Sequence, residues 1–149
     1  MKTLVARQPI PKRIHQVAAL PIRKVDGGDV VEVLLVTTLD TGRWVIPKGW
    51  PWPNRPDHEA AAEEAWEEAG VTGIMSSECM GSYFYLKRRK TGDALRVRVD
   101  VYAMNVTEEK RSWPERKHRQ RKWLRPDKAA ERVEEPELKA LIAALGTAP

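Results

Sequence analysis

The sequence predicts a mixed α+β fold: a central mixed sheet with helices packed on its faces. Two observations predict it. Strand-like segments outnumber helical ones, and a single alanine- and glutamate-rich helical stretch interrupts them. The length of 149 residues and the 42% hydrophobic content suit one compact core, so residues 1–149 are expected to form a single domain.

Pro9 and Pro11 mark residues 1–12 as a loose N-terminal arm. Residues 14–22 read as a first strand around Val17, Ala18, Ala19 and Leu20. Asp26-Gly27-Gly28-Asp29 is a turn, and the β-branched run 30–37 is a second strand, so the two form a hairpin. Asp40-Thr41-Gly42 leads into a short strand at 43–47. Residues 49–56 hold three prolines and cannot be a helix interior. Asp57 follows as a candidate N-cap, with a helix over 58–69 and Gly70 at the position of a left-handed helix stop. Strands are expected at 82–88 and 95–106, joined by the turn Lys90-Thr91-Gly92-Asp93. A short strand at 121–124 and helices near 127–133 and 136–145 complete the chain.

No apolar run reaches the length needed to span a bilayer, and the first dozen residues lack the apolar core of a secretory signal. The single cysteine, Cys79, precludes an internal disulfide; it fits a reducing cytoplasmic setting and reads as a buried, inert thiol. The net charge of +5 is concentrated between Lys110 and Arg125. Such a field attracts phosphorylated small molecules and nucleic acid, or serves only as a solvated surface.

The helix carries the chemistry. At about 100° per residue, Ala61, Ala62, Ala65, Trp66 and Ala69 share one side, and Glu59, Glu63, Glu64, Glu67 and Glu68 the other. Glu64, Glu67 and Glu68 converge at spacings i, i+3 and i+4. Like charges at these spacings cost roughly 0.2–0.5 kcal/mol per pair, and no basic residue within the helix relieves them. A hard divalent cation such as Mg²⁺ would, because it prefers carboxylate oxygens.

Gly49, Glu64, Ala65, Glu67, Glu68, Gly70 and Val71 stand at the spacing of the pattern G-x5-E-x7-R-E-U-x-E-E-x-G-U, with U apolar. The stretch therefore closely resembles the Nudix box. Trp44-Val45-Ile46-Pro47-Lys48-Gly49, Trp113-Pro114-Glu115 and Arg121-Lys122-Trp123-Leu124 extend the resemblance to most of residues 14–145. These segments look like the branch that handles diphosphoinositol and diadenosine polyphosphates. The resemblance implies an α/β/α sandwich and hydrolysis of a phosphoanhydride in an anionic small molecule. It further implies catalytic glutamates Glu64, Glu67 and Glu68 that hold Mg²⁺, or Mn²⁺, beside Gly49. One glutamate or a loop carboxylate would take the proton of the attacking water.

Two departures stand out. The pattern's arginine is Glu63 here and its upstream glutamate is Arg55, so an ion pair with exchanged ends, Arg55 to Glu63, is expected. Related sequences often carry a glutamate where Gln120 stands, which leaves Glu108, Glu109 and Glu115 as candidates for an additional carboxylate. Lys48 reads as a phosphate contact or a solvated strand-end lysine; Trp50 and Trp52 as base-stacking groups or packing under the loop. Arg88, with Lys87, Arg89 and Lys90, reads as a phosphate contact or a hairpin rim. His15, His58 and His118 lack metal-ligand spacing and read as non-catalytic. Two further readings are an RNA 5′-end pyrophosphohydrolase that uses the basic segment, and a Nudix-shaped binding module without catalysis.

Overall fold

A computed structural model describes residues 14–146; the expected N-terminal arm lies outside them. Strand β1 (His15–Val25) turns through a short 3-10 segment into β2 (Val30–Thr37), and the two pair antiparallel as a hairpin. β3 (Trp44–Val45) pairs with β2, and β4 (Lys48–Gly49) pairs with β1. Helix α1 (Asp57–Glu64) continues as a π-helical turn, Ala65–Ala69, into β5 (Val71–Met75). β6 (Gly81–Arg88) and β7 (Ala94–Glu109) form the second hairpin. β8 (Arg121–Leu124), α2 (Pro126–Arg132) and α3 (Pro136–Leu145) follow.

β1 runs parallel to β7 and antiparallel to β2, which makes the sheet mixed; its main path is β3-β2-β1-β7-β5, with β8 on β2. Successive side chains of a strand point to opposite faces. Val17 and Ala19 accordingly join the core under α1, together with Leu34, Val36 and Met104. Ala18 and Leu20 join the opposite core, with Leu35, Val99, Leu138 and Ile142 under α2 and α3. Burial on both faces explains why residues 17–20 show no polar alternation.

α1 and the π turn bury Ala60, Ala61, Ala65 and Ala69 completely, and these small side chains let the helix lie close to β1. Ala62 and Trp66 are only half-buried, so the apolar face is rotated from the expected one. Asp57 is not the N-cap. Pro56 holds that position without a side-chain cap, and the Asp57 carboxylate instead lies 3.3 Å from His15 Nε2. β4 and β5 were not expected, because two and five residues beside glycines and a proline carry little strand signal of their own. Cys79 is exposed rather than buried: it sits in the connection between β5 and β6, where no core covers it. Among the described residues no helix is long and apolar enough to cross a membrane.

Candidate active site

The end of α1 meets β4 at Gly49. A Cβ placed on that residue would lie 2.5 and 2.6 Å from the two carboxylate oxygens of Glu64, so only glycine admits the carboxylate here. Next to it, the backbone N–H of Lys48 donates to Glu68 Oε1 at 3.4 Å. Glu64 and Glu68 lie one turn apart and act on each other electrostatically, and the charge of Glu67 acts on Glu64. Glu64 and Glu68 are thus neighbours and Glu67 lies near enough for its charge to act on Glu64, but the three carboxylates are not drawn within 4.8 Å of one another; among the described residues that grouping is made by His15, Asp57 and Asp100.

Their protonation reflects crowding in a dry setting. Burial, together with the nearby charge of Glu64, pushes Glu68 up to about 8, against the pull of Arg119 and Lys48. Burial and then the charge of Glu67 push Glu64 up to about 7. Glu67 is also raised, by burial and by its hydrogen bond and charge contact with Glu63. Glu115 adds negative charge to all three.

The basic segment explains how the helix end is held. The last carbonyls of a helix have no partner within it and form its negative pole. Here the carbonyl of Glu67 accepts from the Glu115 backbone N–H at 3.0 Å, and that of Gly70 from the Lys110 N–H at 2.9 Å. The indole N–H of Trp113 donates to the Glu68 carbonyl at 3.0 Å, and Arg121 Nη1 to that of Ala69 at 2.8 Å. Arg121 also stacks on Trp113, its guanidinium carbon 3.9 Å from the ring centre. Gly70, with φ of +71°, does more than stop the helix. A Cβ there would lie 2.7 Å from both Arg121 and Trp113.

Arg119 binds the same loop to the glutamates. Its side chain is 10% exposed; Nη2 lies 3.4 Å from Glu68 Oε2 and Nε donates to Glu115 Oε1 at 2.6 Å. Nη1 anchors it to the carbonyl of Thr37 at 2.8 Å. Glu108 and Glu109 end strand β7 rather than lying in a loop, and of the three further carboxylates Glu115 alone is placed beside the helix glutamates. Glu109 turns to Arg121 and Trp123, and Glu108 to Lys110. Gln120 is tied to Thr37 through its backbone.

Glu68 and Arg119 open onto a cleft of about 780 Å³ whose other wall holds Arg43, Lys48, Tyr85, Lys87 and Arg88. Lys48 and Arg88 therefore share one cavity with Glu68, while Arg89 is paired with Asp93 outside it. Trp50 is 49% exposed and does not line this cleft; Trp52 packs on the core under α1.

The expected pair between Arg55 and Glu63 is not formed. Arg55 binds Glu59 at 2.8 Å, and its guanidinium lies over the ring of Trp52, 4.9 Å from the centre. Trp52 holds the arginine over the first turn of α1, where Glu59 rather than Glu63 is in reach. His15, Asp57 and Asp100 bring ligand atoms within 4.8 Å of one another, a grouping that pairs distant segments and so leaves no sequence signature. The Asp100 carboxylate already accepts from Arg98 and from Ser82.

Comparison with known proteins places this arrangement. The family model for the NUDIX domain matches residues 13–145. Nudix hydrolase 16, mitochondrial, of Arabidopsis thaliana is 36% identical over 119 residues, covering 76% of this chain and 64% of that protein. Diphosphoinositol polyphosphate phosphohydrolase 3-beta of Bos taurus is 33% identical over 101 residues, 66% of this chain and 57% of that protein. The chain thus spans less than two thirds of the length of these relatives. A C. elegans Ap4A hydrolase structure, 23% identical, superposes with a TM-score of 0.66 over 89% of this chain and 95% of that one, a likeness of fold. With the glutamate helix, the glycine beside it and the mixed sheet beneath all in place, the chain belongs to the NUDIX domain family.

Proposed function

We propose that this chain is a divalent-metal-dependent pyrophosphohydrolase, a single NUDIX domain over residues 1–149, acting on a phosphoanhydride in a small, highly anionic substrate. One observation carries the reading. Glu68, whose neighbours Glu64 and Glu115 add negative charge to it, lines a cleft that also holds Lys48, Lys87 and Arg88. That is the charge pattern of a cation site beside a polyphosphate site.

The donor set fits a hard divalent ion. Burial and the charge of Glu67 raise Glu64, and burial and the charge of Glu64 raise Glu68, a strain that a bound cation removes, while the missing side chain of Gly49 admits the Glu64 carboxylate. Glu64, Glu67 and Glu68, next to Gly49, would hold Mg²⁺ or Mn²⁺. When bound, such an ion screens the phosphate charge and acidifies water. One of these glutamates, or the neighbouring Glu115, takes the proton of the attacking water. Glu115, pinned by Arg119, completes the acidic wall. Lys48 and Arg88 contact the substrate's phosphates.

Diphosphoinositol and dinucleoside polyphosphates, the compounds in the names of two similar proteins, are the substrate classes to try first. RNA 5′ ends are less favoured, because Arg119 and Arg121 of the basic segment are committed to the helix end. A reducing compartment such as the cytoplasm fits the single cysteine, although the similar plant protein carries "mitochondrial" in its name. The test is phosphate or nucleotide release from inositol pyrophosphates, dinucleoside polyphosphates, nucleoside diphosphate sugars and triphosphorylated RNA, each with and without Mg²⁺. Metal-dependent release from none of them would refute the reading.

A further inference from the structure

Running inward from the cleft wall, three residues from three strands form a polar chain that the glutamate chemistry does not use. Gln16 of β1 is 4% exposed, Tyr85 of β6 is half-buried, and Lys48 lies on β4. The Lys48 ammonium donates to Tyr85 Oη at 3.3 Å, and the Tyr85 hydroxyl donates to Gln16 Oε1 at 2.6 Å. The same ammonium lies over the Tyr85 ring, 4.5 Å from its centre.

A carboxamide buried this deeply is unfavourable unless it is hydrogen-bonded, and its acceptor is aimed at Tyr85. Burial raises Tyr85 to about 12, so the phenol keeps its proton and the donor order runs one way, from Lys48 to Tyr85 to Gln16. A lysine side chain has four rotatable bonds, and holding it in one place before a ligand arrives removes an entropic penalty from binding. The ammonium has three N–H donors; Tyr85 takes one and leaves two for the cleft, where Glu68 and Arg119 lie.

We propose that Gln16 and Tyr85 are positioning residues that hold the Lys48 ammonium where it meets a substrate phosphate, so that affinity for the pyrophosphate group depends on a hydroxyl and a carboxamide that act through the lysine. This rests on the pyrophosphohydrolase reading, which places the phosphates in this cleft.

The experiment is a double-mutant cycle on the full chain, read by calorimetric titration with inorganic pyrophosphate and Mg²⁺. Tyr85→Phe keeps the ring and removes the hydroxyl; it is expected to weaken binding about tenfold, and Gln16→Leu to do the same. In a Lys48→Met background neither change has a further effect, because the group they position is gone. Equal weakening with and without Lys48 would mean a merely structural role and would overturn the proposal, as would unchanged binding in Tyr85→Phe. Should Gln16→Leu fail to fold, Tyr85→Phe decides alone. Where a substrate is turned over, KM should rise about tenfold in Tyr85→Phe with kcat within about twofold; a fall in kcat alone counts against it. Wild-type protein that binds pyrophosphate but hydrolyses nothing would sink the enzymatic reading and leave the positioning test intact. Absence of pyrophosphate binding would sink the positioning proposal itself.

Discussion

Nη2 of Arg119 lies 3.4 Å from Oε2 of Glu68, with both side chains at or below 10% exposure. This contact joins the basic segment to the acidic helix. A loop that looks like a polyanion-binding surface in one dimension is, in three, the clamp on the glutamates.

Removing the clamp leaves a buried carboxylate without its cation. Breaking such a pair costs about 3–5 kcal/mol when the remaining charge cannot escape. Glu68 has an escape, because its pKa is already near 8 and it can take a proton. Arg119→Ala should therefore lower stability by about 2–3 kcal/mol at pH 8 and by less at pH 6. Urea denaturation at the two pH values checks this; equal losses would show that Glu68 is not the partner that matters.

The glutamates themselves should behave in the opposite way. Glu67→Gln and Glu68→Gln remove one of several crowded like charges. The metal-free protein is expected to keep its fold and its melting temperature, or gain slightly, while metal-dependent turnover falls by at least about a hundredfold, some 2.7 kcal/mol of barrier. Full activity in either variant would refute the metal role given to it.

Stability should depend on pH in a direction that metal reverses. Glu64 at about 7 and Glu68 at about 8 lie above the ordinary value of 4.5, so the folded state binds more protons than the unfolded state between those limits. The metal-free protein is therefore most favoured by these groups below about pH 4.5, and that contribution is lost as pH rises through 7 and 8. Added Mg²⁺ binds the deprotonated form, so the rise in melting temperature it causes should grow from pH 6 to pH 8.5. A metal shift that is flat across this range would contradict the carboxylate cluster as the site.

Gly49 is a steric requirement. In Gly49→Ala the new methyl group meets the Glu64 carboxylate, which has to rotate away. We expect metal affinity to drop by tenfold or more, about 1.4 kcal/mol, with a native circular dichroism spectrum. Unaltered metal affinity would mean that the orientation of Glu64 next to β4 is unimportant.

The sequence by itself determined the family, the acidic helix and most of the strands. The box residues act through local spacing, and the β-branched run 30–37 and the alanine-rich turns of the helix carry their periodicity within a few residues. Only the tertiary structure decided which further carboxylate joins the site, because Glu108, Glu109 and Glu115 are alike in one dimension and are sorted by Lys110, Arg121 and Arg119. It also decided that Arg55 goes to Glu59, since the ring of Trp52 fixes where the arginine lies. β4, β5 and the π turn escaped notice for the same reason: two or five residues hold their shape by pairing with β1 and β7 or by capping from residues 110–121. Spacing along the chain sets which side chains share one helix face. Long-range hydrogen bonds and burial set which of them meet the rest of the protein, and those depend on partners tens of residues away.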